Sequence, residues 1–85
     1  MITSGQQTIT TTRAKVDGTS ASPCTLIIHN SGNNKVVLGD AAVTATTGFE
    51  LHSNITVTFS LPAGDTIYAI AATGSHDISW IRLVQ

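Results

Sequence analysis

Hydrophobic and polar residues alternate without interruption from Ile55 to Leu61: Ile55, Val57, Phe59 and Leu61 fall on one side, Thr56, Thr58 and Ser60 on the other. A two-residue period is the mark of a half-buried β-strand. After a turn at Pro62-Ala63-Gly64-Asp65, the stretch Thr66 to Ala72 is apolar at both parities, which points to a strand covered on both faces. Further turn signals stand at Asp17-Gly18, Ser31-Gly32-Asn33-Asn34, Gly39-Asp40, Thr47-Gly48 and Thr73-Gly74-Ser75. Between them the pattern predicts strands near 7–16, 24–30, 35–38, 42–45, 49–51, 55–61, 66–72 and 77–84. The runs 24–30 and 35–38, joined by Ser-Gly-Asn-Asn, read as a hairpin, because Gly and Asn tolerate the positive φ of tight reversals. Residues 1–23 hold few large apolar groups and read as an edge strand, with 1–6 a loose arm that could be donated to a neighbour.

Threonine and serine fill about a quarter of the chain and good helix formers never run together, so no long helix is expected. The expected fold is all-β: one domain over 1–85, a small antiparallel β-sandwich, jelly-roll-like, of seven to eight short strands.

With 85 residues, 41% hydrophobic and 11% charged, the chain fits a single small globular domain. Such a domain hides only about 60% of the surface its unfolded chain exposes, so disulfides, a metal or partner chains normally assist it. Cys24 is alone and, beside Thr25-Leu26-Ile27-Ile28, reads as a small buried thiol. His29, His52 and His76 show no metal-ligand spacing, so neither a structural metal nor a cofactor is expected. Association between copies is the remaining aid.

The first residues lack the basic and apolar regions of a secretory signal, and no apolar run approaches the roughly 18 residues of a membrane span. The expectation is a soluble chain made in a cytoplasm, with no membrane partner. Net charge is −1, and Arg13, Lys15, Lys35 and Arg82 are dispersed, which argues against nucleic acid as a partner.

Catalysis finds little support in this inventory. The acidic residues are Asp17, Asp40, Glu50, Asp65 and Asp77, most of them at or near turns. Ser75-His76-Asp77 superficially resembles a nucleophile, base and orienter, yet neighbours on a strand point to opposite faces, whereas a triad converges from separate elements. No Gly-x-Gly-x-x-Gly or Walker pattern occurs. No catalytic residue is therefore assigned, and the chain reads as a non-enzyme. Tyr68 and Trp80 read first as core filling and second as sugar-stacking platforms.

The last two strands carry more apolar residues than one small core needs. Ile67, Ala69 and Ala71 occupy one parity and Tyr68, Ile70 and Ala72 the other; Ile78, Trp80 and Val84 oppose Ile81 and Leu83. Such a surplus implies contact with another subunit or burial beneath a loop.

The order Cys24-Thr-Leu-Ile-Ile-His-Asn-Ser-Gly-Asn-Asn-Lys-Val-Val-Leu-Gly39, then Val43-Thr44, Thr47-Gly48-Phe49, Leu51 and Gly64-Asp65-Thr66-Ile67-Tyr68-Ala69-Ile70-Ala71 resembles small β-sandwich structural proteins of tailed bacteriophages over about residues 7 to 84. The chain departs from that pattern at Val37, where an aromatic is frequent, and at Gly39-Asp40-Ala41. The resemblance implies a virion component assembled in the host cytoplasm, a capsid decoration or head-stabilising protein whose partner is the major capsid protein. It further implies an oligomer, a trimer being favoured, seated over junctions between capsid subunits. On that reading Tyr68, Ile70, Trp80, Ile81 and Leu83 pack subunits together, and Ile9, Arg13 and Lys15 touch the capsid. The alternatives are a tail or fibre module binding a host surface glycan, and an enzyme of cupin-like architecture, which the three isolated histidines disfavour.

Overall fold

Alternation is most complete over residues 24–30, where Cys24, Leu26, Ile28 and Asn30 are buried and Thr25, Ile27 and His29 are half-buried. The computed structural model describes residues 2–16 and 22–84. The expected turn at Asp17-Gly18 and Met1 of the expected arm lie outside them. The described residues form strands β1 (Ile2–Ile9), β2 (Ala14–Lys15), β3 (Cys24–Asn30), β4 (Val36–Gly39), β5 (Phe49–Leu51), β6 (Thr56–Leu61), β7 (Tyr68–Ala71) and β8 (His76–Val84), with no helix among them.

Two four-stranded antiparallel sheets result, in the orders β1-β8-β3-β6 and β2-β7-β4-β5. The pairs β1·β8, β2·β7, β3·β6 and β4·β5 amount to one long hairpin, closed at β4–β5 and rolled into two layers. This is the winding of a jelly roll. Leu26, Ile28 and Ile78 of the first sheet meet Val36, Leu38 and Leu51 of the second in the shared core. Each such side chain stabilises the fold by roughly 1.5–3 kcal/mol through burial.

The expected β3–β4 hairpin is corrected by this topology. β3 pairs with β6 and β8, while β4 pairs with β5 and β7, so the two strands lie in different sheets. Asn30 explains the crossing. Its buried carboxamide donates to the carbonyls of Leu51 (2.8 Å) and Asn34 (2.9 Å) and accepts from the Gly32 N–H (2.9 Å), so the Ser-Gly-Asn-Asn segment is bent from one layer to the other. A buried amide with its groups satisfied fixes such a path, whereas one left unsatisfied is costly.

Three further expectations change. The strand expected over 7–16 is two strands, with Thr10–Arg13 crossing between sheets; the Thr10 carbonyl accepts from Ala71 N–H at 2.8 Å on the far side. Residues 2–6 are no loose arm, because β1 pairs along its whole length with β8, from Ile2 opposite Leu83 to Ile9 opposite His76. Residues 42–45 form a turn instead of a strand: Asp40 Oδ1 accepts from Ala42 N–H, its carbonyl accepts from Val43 N–H, and Thr44 and Thr47 bond through their hydroxyls at 2.6 Å. Local side-chain acceptors outcompete a ladder there.

Candidate functional site

The register decides which side chains each outer face displays. Opposed residues of an antiparallel pair share a face, so the outside of the β1-β8-β3-β6 sheet carries the rows Ile2·Leu83·Thr25·Ser60, Ser4·Ile81·Ile27·Thr58 and Gln6·Ser79·His29·Thr56. Ile2 is 69% exposed, and Ile27, Ile81 and Leu83 are half-buried. These four form an aliphatic patch at one end, bordered by hydroxyls. Asp77, at the opposite end, accepts from the Thr8 hydroxyl at 2.8 Å. The patch itself carries no charge.

Ile81 and Leu83 thus stand together on an outward surface, as the sequence led one to expect, but Trp80 does not join them. It points inward opposite Ile28, and its ring packs against the core. Gly5 makes room for it: a Cβ there would lie 2.8 Å from the indole Cζ2. Of the two readings given to Trp80, filling of the sandwich holds, and its assignment as a subunit contact is corrected.

Tyr68 and Ile70 occupy the outside of the other sheet, Tyr68 between Lys15 and Gly39, Ile70 beside Val37. Val37 faces outward by register yet is only 1% exposed. The β4–β5 connection covers it, with Gly48 against it. Gly48 has φ of 144° and its α-carbon sits so close that a Cβ would fall 2.7 Å from Val37 Cγ1, Val43 Cγ2 and the Leu38 carbonyl. Glycine alone suits both the backbone and the space. The outer parity of this sheet is thus covered by the loop at Val37, whereas Tyr68 and Ile70 are half-buried.

Of the residues expected to touch a capsid, Ile9 is corrected, since it is 0% exposed and belongs to the core. Ile9, at the end of a strand whose other large apolar residue, Ile2, faces outward, is the inward anchor of β1. Arg13 Nη1 donates to the Val43 carbonyl at 3.1 Å and so fastens the covering loop. Lys15 is exposed beside Tyr68.

Polar chemistry is sparse. Lys35 Nζ lies 2.8 Å from Glu50 Oε2 and His52 Nε2 lies 3.5 Å from Oε1. The Lys35 hydrogen bond and charge, aided by His52, hold the exposed Glu50 carboxyl below its ordinary range. His76 Nε2 sits 2.9 Å from the Thr73 carbonyl, whereas Asp77 turns to the other face and engages Thr8. Among the described residues, no three of His, Cys, Asp and Glu converge in a way that could hold a metal ion. No helix among the described residues is long and apolar enough to cross a membrane.

Sequence reasoning missed the side of the sandwich between the edge strands β5 and β6. Phe49 is 51% exposed and Ile55 52%, and the inward row Val57, Phe59 and Leu61 is only half-buried. Phe49 and Phe59 meet edge to face, ring centroids 6.1 Å apart. An open hollow of about 440 Å³ lies beside Phe49, with Asp40, Val43 and Gly48 also on its wall. The strict alternation of 55–61 was the available signal, but it could not tell a covered inner row from an uncovered one. Comparison with protein-family models, curated proteins and solved structures finds no match to this chain.

Proposed function

We propose that this chain is a non-enzymatic structural component of a tailed-bacteriophage virion, a capsid decoration or stabilisation protein that binds the outer capsid surface as an oligomer. The observation that carries the reading is the uncharged aliphatic patch of Ile2, Ile27, Ile81 and Leu83 on the outside of a sheet, bordered by Thr25, Thr58, Ser60 and Ser4. A surface of this chemistry suits another protein surface better than a small charged ligand or nucleic acid. Two supports accompany it: the sequence resemblance over residues 7 to 84, and a jelly-roll winding, an architecture common among virion coat domains but also found in lectins and cupins. Many copies would each add a modest contact between neighbouring capsid subunits, so that rupture of the shell requires several contacts to fail together.

Quantitative mass spectrometry of purified virions tests this. A copy number comparable to that of the major capsid protein is expected. A number far below it transfers the chain to the second reading, a tail or fibre module binding a host glycan, which the half-exposed Phe49 beside the hollow favours. Glycan-array binding lost in Phe49→Ala would then identify that site.

A further inference from the structure

We infer that two copies of this chain join through β6, edge to edge and antiparallel about a two-fold axis at Thr58, making one continuous eight-stranded sheet. The inference rests on the self-associating part of the function proposed above and supplies its geometry.

Two needs coincide on this side of the molecule. β6 ends its sheet, so among the described residues no strand lies beside its far edge. Its inward residues Val57, Phe59 and Leu61, with neighbouring Ile55, are incompletely covered, whereas the corresponding residues of β3 are buried. An apolar small molecule would cover side chains without satisfying the backbone edge; an extended strand does both.

The strand that fits is a second β6. A two-fold axis at Thr58 sets Ile55 opposite Leu61, Val57 opposite Phe59, Thr56 opposite Ser60 and Thr58 opposite itself, all seven residues matching apolar to apolar or hydroxyl to hydroxyl. Aromatic with β-branched and Thr with Thr are favourable cross-strand pairs. The segment is bounded for this register, by Asn54 at φ 63° before it and Pro62 after it. No charged residue lies within 55–61, so like copies do not repel along the seam.

The other edge of the same sheet fails the same comparison. Pairing β1 with itself about Gly5 sets Ile2 against Thr8, and about Gln6 sets Thr3 against Ile9, mixing apolar with polar partners in either register. Pairing through β6 also places the two aliphatic patches on one side of the joined sheet, a doubled surface for a shell. It makes the assembly two-fold in place of the trimer favoured from sequence.

Sedimentation of the full chain over a wide concentration range tests the inference. The expected species is a dimer, with Thr58→Lys raising its dissociation constant at least a hundredfold while near-ultraviolet circular dichroism of Trp80 is unchanged. Mild oxidation of Thr58→Cys is expected to give a reducible cross-linked dimer, with no such product from Ser4→Cys on β1 or from the native chain, whose Cys24 is buried. A monomer at the highest concentration, a trimer, association that Thr58→Lys leaves unaltered, or cross-linking at Ser4 in preference to Thr58 overturns it. Virion copy number is a separate readout: a dimer absent from virions removes the capsid role alone, and an abundant virion protein that is monomeric when free removes this pairing alone.

Discussion

The two long sides of the sandwich are built differently. On one, the chain itself crosses between sheets: Thr10 accepts from Ala71, Val16 N–H donates to the Ile67 carbonyl, and Gln7 Nε2 reaches the Lys15 carbonyl at 2.6 Å, all over Ile9 and Val16, which are 0% exposed. On the other, β5 is three residues long and β6 overhangs it, leaving Phe49 and Ile55 half in water. Both sides are crossed by the chain, the second through residues 52–55, where Asn54 N–H donates to the Asn30 carbonyl. What differs is cover, since the first crossing lies over fully buried side chains, whereas on the second Phe49 and Phe59 meet edge to face with Phe49 half exposed. Where a small domain leaves an apolar edge uncovered, that edge is where a second chain can supply what the first lacks.

The sharpest break of this comparison is a truncation in each side. Ile9→Ala on the sealed side removes a fully buried group with little room to relax, and should cost about 2–5 kcal/mol in urea unfolding. Phe49→Ala on the open side, compared in monomers, should cost less than about 1 kcal/mol, because much of the ring is already hydrated. Equal losses would contradict the asymmetry.

Gly48→Ala should come next, costing about 1–3 kcal/mol by straining the positive φ and pushing the covering loop off Val37; faster amide exchange over β4 would report it. Gln7→Ala should then cost about 1 kcal/mol through the lost bond to Lys15, loosening the β1–β2 crossing without touching the open side.

The smallest effect belongs to Glu50. Its carboxyl is held below the ordinary value by Lys35, so its contribution is present above the unfolded glutamate pKa and is lost as pH falls through the lowered folded value. Glu50→Gln should therefore lower the melting temperature slightly at neutral pH and not at all in acid; a difference that persists in acid would assign the effect to something other than charge. Being exposed, the pair contributes little in any case.

Period-two alternation and turn residues were enough to place β3, β5, β6 and β8 within a residue or so, because each of those strands has one face in the core and one outside. The Ile81 and Leu83 surface was legible for the same reason: parity alone assigns side chains to faces. Trp80 was read both as core filling and as a subunit contact, and Ile9 as a capsid contact, because parity does not say which face is inner, and that depends on where the second sheet lies. Ser-Gly-Asn-Asn offers the same local cue whether a chain reverses within a sheet or passes to the next one. Only the buried Asn30, bonded to Leu51 from a strand 21 residues away in sequence, selects the second course.

What the sequence determined by itself was the class of fold, the alternation of each strand and the scarcity of charge, since these follow from contacts between near neighbours and from composition. The tertiary structure decided the rolled pairing of β1 with β8 and β3 with β6, the loop laid over Val37 and the half-covered inner row of β6. Those depend on which distant strands compete for the same edge, and hydrogen bonding along an edge is nearly indifferent to side-chain identity until the layers have packed.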